Sequence, residues 1–170
     1  MDKYLYIGID PGKNGGIVGL YDDEVFQERC PKEPLFMYNA LCSMVENFKY
    51  SAPNREEDKV RVFIEHVHAF PKQGVVSTFS FGQNYGQWEG IISSFEIKPT
   101  IVSPQKWMKF YNTPKGLTRK DRKRFLIEKA RKLFGGEKIT FNVSDAFLIA
   151  NYNRQQYYEE CVEESKRCEG

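Results

Sequence analysis

Three apolar runs in this chain each abut a carboxylate, and this constrains the fold more than any other feature of the sequence. Leu5-Tyr6-Ile7-Gly8-Ile9 runs into Asp10, Val60-Arg61-Val62-Phe63-Ile64 runs into Glu65, and Asp145 stands directly before Ala146-Phe147-Leu148-Ile149-Ala150. Burying a carboxylate is costly unless it is paired or bound to a cation. If the first and fourth strands are neighbours and the last helix packs against their ends, all three converge on one cation. Otherwise Asp10 is a turn residue before Pro11-Gly12, Glu65 a strand-end ion-pair partner and Asp145 a helix N-terminal acid.

The segments between them read as elements of a mixed sheet. Three strands are expected first, Tyr4 to Ile9, Gly16 to Tyr21 and Glu24 to Arg29, with Asp22-Asp23 turning the second into the third. Pro34 opens a helix through Met44 whose apolar residues recur near every 3.6 positions. After a charged loop, the β-branched run Val60 to Glu65 is the fourth strand. Val75 to Phe95 is read as a helix whose glycines permit close packing, and Ile97 to Val102 as a short fifth strand. Pro104 starts a helical turn to Met108, which Thr113-Pro114-Lys115-Gly116 breaks. Thr118-x-x-Asp121 resembles a capping box before a basic helix, Arg119 to Phe134, that Gly135-Gly136 ends. A last helix runs from Val143 into an acidic tail, with Glu163 to Gly170 expected to fray. Three antiparallel strands followed by two parallel ones, flanked by helices, make an α/β fold. The 170 residues, 41% of them hydrophobic, suffice for one core and are read as a single domain, 1–170.

Charge is distributed unevenly. Between Lys98 and Lys132 there are 12 basic residues against two acids, a net +10 in a chain of net +2. Such a segment suits a polyanion, whose condensed counterions are released on binding; the alternative is a solvated helix face. Lys106, Lys109, Lys115, Arg119, Lys120, Lys123 and Arg124 are the candidate DNA contacts within it. No run approaches the length of a membrane span, and Met1-Asp2-Lys3-Tyr4 lacks a signal-peptide plan, so a cytoplasmic protein is expected. Cys30, Cys42, Cys161 and Cys168 form no CxxC pair, and both histidines, His66 and His68, lie beside Glu65 without zinc-ligand spacing. Reduced thiols are the expectation. With oxygen donors alone, the three carboxylates point to Mg²⁺ or Mn²⁺.

In order and spacing, three motifs resemble the acidic motifs of the RuvC resolvases, particularly the compact bacteriophage forms. They are Ile7-Gly8-Ile9-Asp10-Pro11-Gly12, Ile64-Glu65 and Ser144-Asp145-Ala146-Phe147-Leu148-Ile149-Ala150. Gly82 to Gly90 is similar to that family's glycine-containing helix, and Pro104-Gln105-Lys106-Trp107 with Lys120 to its proline-lysine segment. The resemblance implies a ribonuclease H-like fold and a homodimer that binds four-way (Holliday) DNA junctions. It also implies metal-dependent nicking of two strands, in a bacterial cytoplasm if the chain is phage-encoded. The implied ligands are Asp10, Glu65 and Asp145, with Lys106 and Lys120 candidates for the scissile phosphate or ordinary surface lysines. Members usually carry a fourth acidic or histidine ligand one turn before the last aspartate, where this chain has Asn142. Asn142 is then a weak, uncharged ligand, an engineered replacement of an acid, or no ligand at all.

His68 and Phe70 lie just past Glu65, where a side chain can wedge into unpaired bases or pack on its own domain. Phe79, Phe81, Tyr85 and Trp88 suit a core or a dimer interface better than base stacking. Two further functions compete. Asp10-x-Gly12-x-x-Gly15-Gly16 also resembles the first phosphate loop of sugar kinases and actin-like ATPases, which need a second lobe. A junction-binding protein without cleavage is the other, supported by Asn142.

Overall fold

A computed structural model describes residues 4–51, 59–66, 74–135 and 139–168. His68 and Phe70 lie outside these residues. The chain forms one five-stranded sheet in the order β3-β2-β1-β4-β5. The strands are β1 (Leu5–Asp10), β2 (Gly16–Tyr21), β3 (Glu24–Arg29), β4 (Val60–Glu65) and β5 (Thr100–Val102), with β1, β2 and β3 antiparallel and β1, β4 and β5 parallel. The mixed sheet expected from the strand order is therefore present.

The helices are α1 (Pro34–Ser51), α2 (Val75–Ser94), α3 (Pro104–Phe110), α4 (Arg119–Phe134) and α5 (Ser144–Cys168). Thr118 caps α4 as its sequence suggested, its hydroxyl accepting from the Asp121 N–H at 3.2 Å. Three bounds differ from the expectation. Helix α1 continues seven residues past Met44, because Val45 and Phe48 extend its buried face. Strand β5 is half the expected length, since Glu96 takes a left-handed φ of 59° and Pro99 has no N–H to give the ladder. The acidic tail continues α5 to Cys168.

Alternation along the strands divides the interior into two layers. Leu5, Ile7, Ile9, Ile17, Val62 and Ile64 pack on α1 and α2, whereas Tyr6, Val18, Leu20, Phe63 and Val102 pack on α3, α4 and α5. Helix α5 lies directly across β1, and the glycine at position 8 allows it. A Cβ there would fall 2.3 Å from the Ala150 nitrogen and 2.4 Å from the Ala146 oxygen. Buried Asn153 fastens the helix further, donating to the carbonyls of Ile7 (3.2 Å) and Arg61 (2.8 Å) on neighbouring strands.

The glycines of α2 do not serve the close packing expected of them. A Cβ at Gly82, Gly86 or Gly90 would meet no atom within 4 Å, and of the helix's 20 residues only Trp88 and Ile92 are buried. Val75 and Phe79, on the same stripe, are exposed.

Candidate active site

The site follows from strand register. In the parallel pair β1–β4, Ile9 lies beside Ile64, so the next residues, Asp10 and Glu65, emerge together at the carboxyl ends of adjacent strands. Both follow by two positions a residue packed under α5: Gly8 against the helix backbone and Phe63 in its core. Their side chains thus share the α5 face. Asp145 sits in the first turn of α5, whose position over Gly8 brings its charge close enough to act on both strand carboxylates.

These groups perturb one another strongly. Burial and then the negative charges of Glu65 and Asp145 raise Asp10 well above the usual carboxylate range, while Lys123 pulls it down. Burial pushes Glu65 up to about 7; the Trp107 N–H and Lys123 oppose the rise, and Asp145 adds to it. Asp10 and Glu65 each act on the other's titration, so the two carboxyls take up and release protons as a pair. Trp107 of α3, buried, donates its indole N–H to Glu65 Oε1 at 2.9 Å and fixes that side chain. Lys123 Nζ lies 2.6 Å from Asp145 Oδ2, and the Ser144 hydroxyl donates to Oδ1 at 3.2 Å. No three carboxylate, histidine or cysteine groups among the described residues stand at metal-ligand spacing.

The donor set fits a hard divalent cation. Burial and then neighbouring negative charge raise Asp10 and Glu65, Asp145 acts on both, and the Lys123 ammonium opposes the rise while pairing with Asp145, so a hard cation would relieve all three oxygen donors. Asn142 stands apart, in the turn before α5, with its amide N–H donating to the Asn14 carbonyl at 3.0 Å. This leaves its side-chain oxygen as the only atom it can offer a metal.

Lys106 on α3 and Lys120 on α4 are exposed, and neither forms an ion pair among the described residues. Lys109, Lys115, Arg119 and Arg124 are exposed as well. Lys123 differs from these because it shares the inward face of α4 with Leu126, Ile127 and Ala130, three, four and seven residues on. That spacing was legible in the sequence and singles out Lys123 from the other basic residues of α4. Trp107 carried no comparable signal, since a buried indole looks the same in sequence whether or not its N–H has a partner. The loop after Asp10 is held from α2, where Asn84 Oδ1 accepts the Gly12 N–H at 2.8 Å. Nothing in the spacing of Asn84 announced that contact.

No protein-family model and no curated protein sequence matches this chain. Among solved structures, Thermus thermophilus RuvC in complex with a Holliday junction substrate matches at TM-score 0.54 and 14% identity, over 86% of this chain and 90% of that one. A structure of Thermus thermophilus RuvC matches at TM-score 0.49 and 15% identity, over 85% and 89%. At such identity the likeness is one of architecture: the five-stranded mixed sheet flanked by helices is a RuvC-like, ribonuclease H-like fold.

Proposed function

We propose that this protein is a divalent-metal-dependent endonuclease that resolves four-way DNA junctions, a RuvC-like resolvase of the compact bacteriophage type acting in a bacterial cytoplasm. One observation supports the reading: Asp10 and Glu65 end adjacent parallel strands within electrostatic reach of Asp145, which pairs with Lys123 of the basic helix α4, in a fold shared with a protein solved on a Holliday junction. Asp10, Glu65 and Asp145 would hold Mg²⁺ or Mn²⁺, with Asn142 the weakest candidate ligand. The ion supplies activation of a water and neutralisation of charge developing on the phosphate.

The chain's own groups do the rest. Trp107 holds Glu65 in place, and Lys123 keeps Asp145 compensated until a cation arrives. Lys106, Lys109, Lys115, Arg119, Lys120 and Arg124 supply sequence-independent affinity for the backbone, Lys106 and Lys120 being the candidates for the cut phosphate. His68 or Phe70 would enter the junction centre. A homodimer suits a twofold junction, and the open stripe of α2 through Val75, Phe79, Gly82, Gly86 and Gly90 gives it a surface. No described helix is long and apolar enough to cross a membrane.

Incubation of the purified chain with a synthetic four-way junction and Mg²⁺ tests the reading. Paired nicks in strands of like polarity are expected. ATP hydrolysis without DNA cleavage would overturn it in favour of a phosphotransferase. Tight binding without nicks would favour a junction-binding protein, the second reading that Asn142 supports through its contact with Asn14.

A further inference from the structure

Beside the acid cluster lies an open hollow of about 540 Å³, lined by Arg119, Lys120, Lys123, Arg124 and Phe141. We propose that it is a nucleotide subsite, in which Phe141 stacks on the base next to the scissile phosphate while Arg119, Lys120 and Arg124 hold the flanking phosphates. This deepens the nuclease reading and rests on it.

Lys123 fixes the hollow's place relative to the chemistry, since it both lines the hollow and bonds Asp145 Oδ2 at 2.6 Å. A strand lying in the hollow therefore passes directly by the carboxylates. The lining contains four cations and no acid, and among the described residues Arg119, Lys120 and Arg124 form no ion pair. Cations held together without a counter-charge repel one another, and a phosphate backbone relieves that repulsion.

Phe141 supplies what the cations lack. It is 53% exposed, a large apolar ring presented to solvent among positive charges. Its turn is tied to the start of α5 by the backbone, the Ser144 N–H donating to the Thr140 carbonyl at 3.1 Å and the Phe147 N–H to the Val143 carbonyl at 2.9 Å. The ring therefore stands at a set distance from Asp145, one helical turn before it in sequence. A hollow of this volume falls within the range of small-ligand sites and accommodates one nucleotide, and an aromatic face accepts any base by stacking. The +10 segment was read from sequence as a binder of backbone alone; Phe141 lies outside it and adds a contact to the base.

The test compares wild type, Phe141→Leu and Phe141→Trp on an intact junction and on junctions with a single abasic residue stepped across the cut. Leucine keeps the apolar bulk without the aromatic face, and tryptophan keeps the face. For wild type, one abasic position next to the cut is expected to weaken Kd and slow nicking by about ten-fold. Phe141→Leu should lose about as much on the intact junction and show no further loss at that position, whereas Phe141→Trp should keep the wild-type pattern. Equal abasic penalties in wild type and Phe141→Leu, or no penalty in wild type, would overturn the subsite. If wild type binds without nicking, the nuclease reading falls while the comparison of Kd values still decides the subsite.

Discussion

The acid cluster and helix α4 touch through a single ion pair, Lys123–Asp145, yet they are built on opposite principles. Asp10, Glu65 and Asp145 are like charges forced together by strand register and a helix crossing, partly buried, with two of them displaced far from their ordinary titration. Most basic residues of α4 are spread over solvent, and Lys123 is the one that pairs with the acid cluster. Charge crowded out of water is expensive and is suited to holding a cation and doing chemistry. Dispersed charge costs little and is suited to affinity for a polyanion. The two regions should therefore fail differently.

The sharpest way to break that division is Asp10→Asn. Cleavage is expected to fall at least ~1,000-fold, with junction Kd changed by less than about three-fold. A parallel loss of binding in a gel-shift titration would make Asp10 a structural residue. The reverse change within the basic segment, Lys109→Glu with Lys115→Glu, away from the cut phosphate, should weaken junction Kd by roughly 10- to 100-fold and flatten its dependence on salt. It should leave single-turnover cleavage at saturating protein within a few-fold of wild type. A cleavage defect persisting at saturation would carry these residues across into the chemistry.

Stability should report the crowding directly. Glu65 is raised in the fold from an ordinary value of 4.5 to about 7, so between these values the folded protein holds a proton that the unfolded chain releases. Stability contributed by this group is thus greatest at low pH and is lost as pH rises through 7. Chelator-treated protein should melt at a lower temperature at pH 8 than at pH 6, by on the order of 1–2 kcal/mol because Glu65 is only partly buried. Mg²⁺ should raise the melting temperature more at pH 8, where it does not compete with that proton, and Asp10→Asn should flatten the pH dependence. A pH-independent melt would mean the carboxylates are not crowded.

The smallest effect is expected from Trp107→Phe. The indole N–H holds Glu65 down, so its loss should move the acidic limb of the pH–rate profile upward by a fraction of a unit and lower the rate a few-fold at pH 7. An unmoved limb would show that the hydrogen bond does not bear on the reacting form.

Much of this was legible without coordinates, and for identifiable reasons. Asp10, Glu65 and Asp145 stood out because each interrupts the edge of an apolar run, and a local pattern of that kind survives any tertiary arrangement. The limits of α4 were legible because Thr118 and Gly135 are local signals for its two ends. The length of β5 was not, since Ile97 and Lys98 are compatible with a strand but Glu96 and Pro99 set where pairing begins. The glycines of α2 suggested close packing, and the fold left their face open, because what lies opposite a helix face is not encoded in that helix.

The sequence by itself determined which residues are chemically capable: three carboxylates at run ends, a basic segment and the strands that carry them. Only the tertiary structure decided which of these meet. The β1–β4 register set Asp10 beside Glu65, the missing side chain of Gly8 let α5 bring Asp145 near, and the inward face of α4 set Lys123 against Asp145. Periodicity fixes the face on which a side chain lies, but contacts between residues distant in the chain depend on how the elements pack.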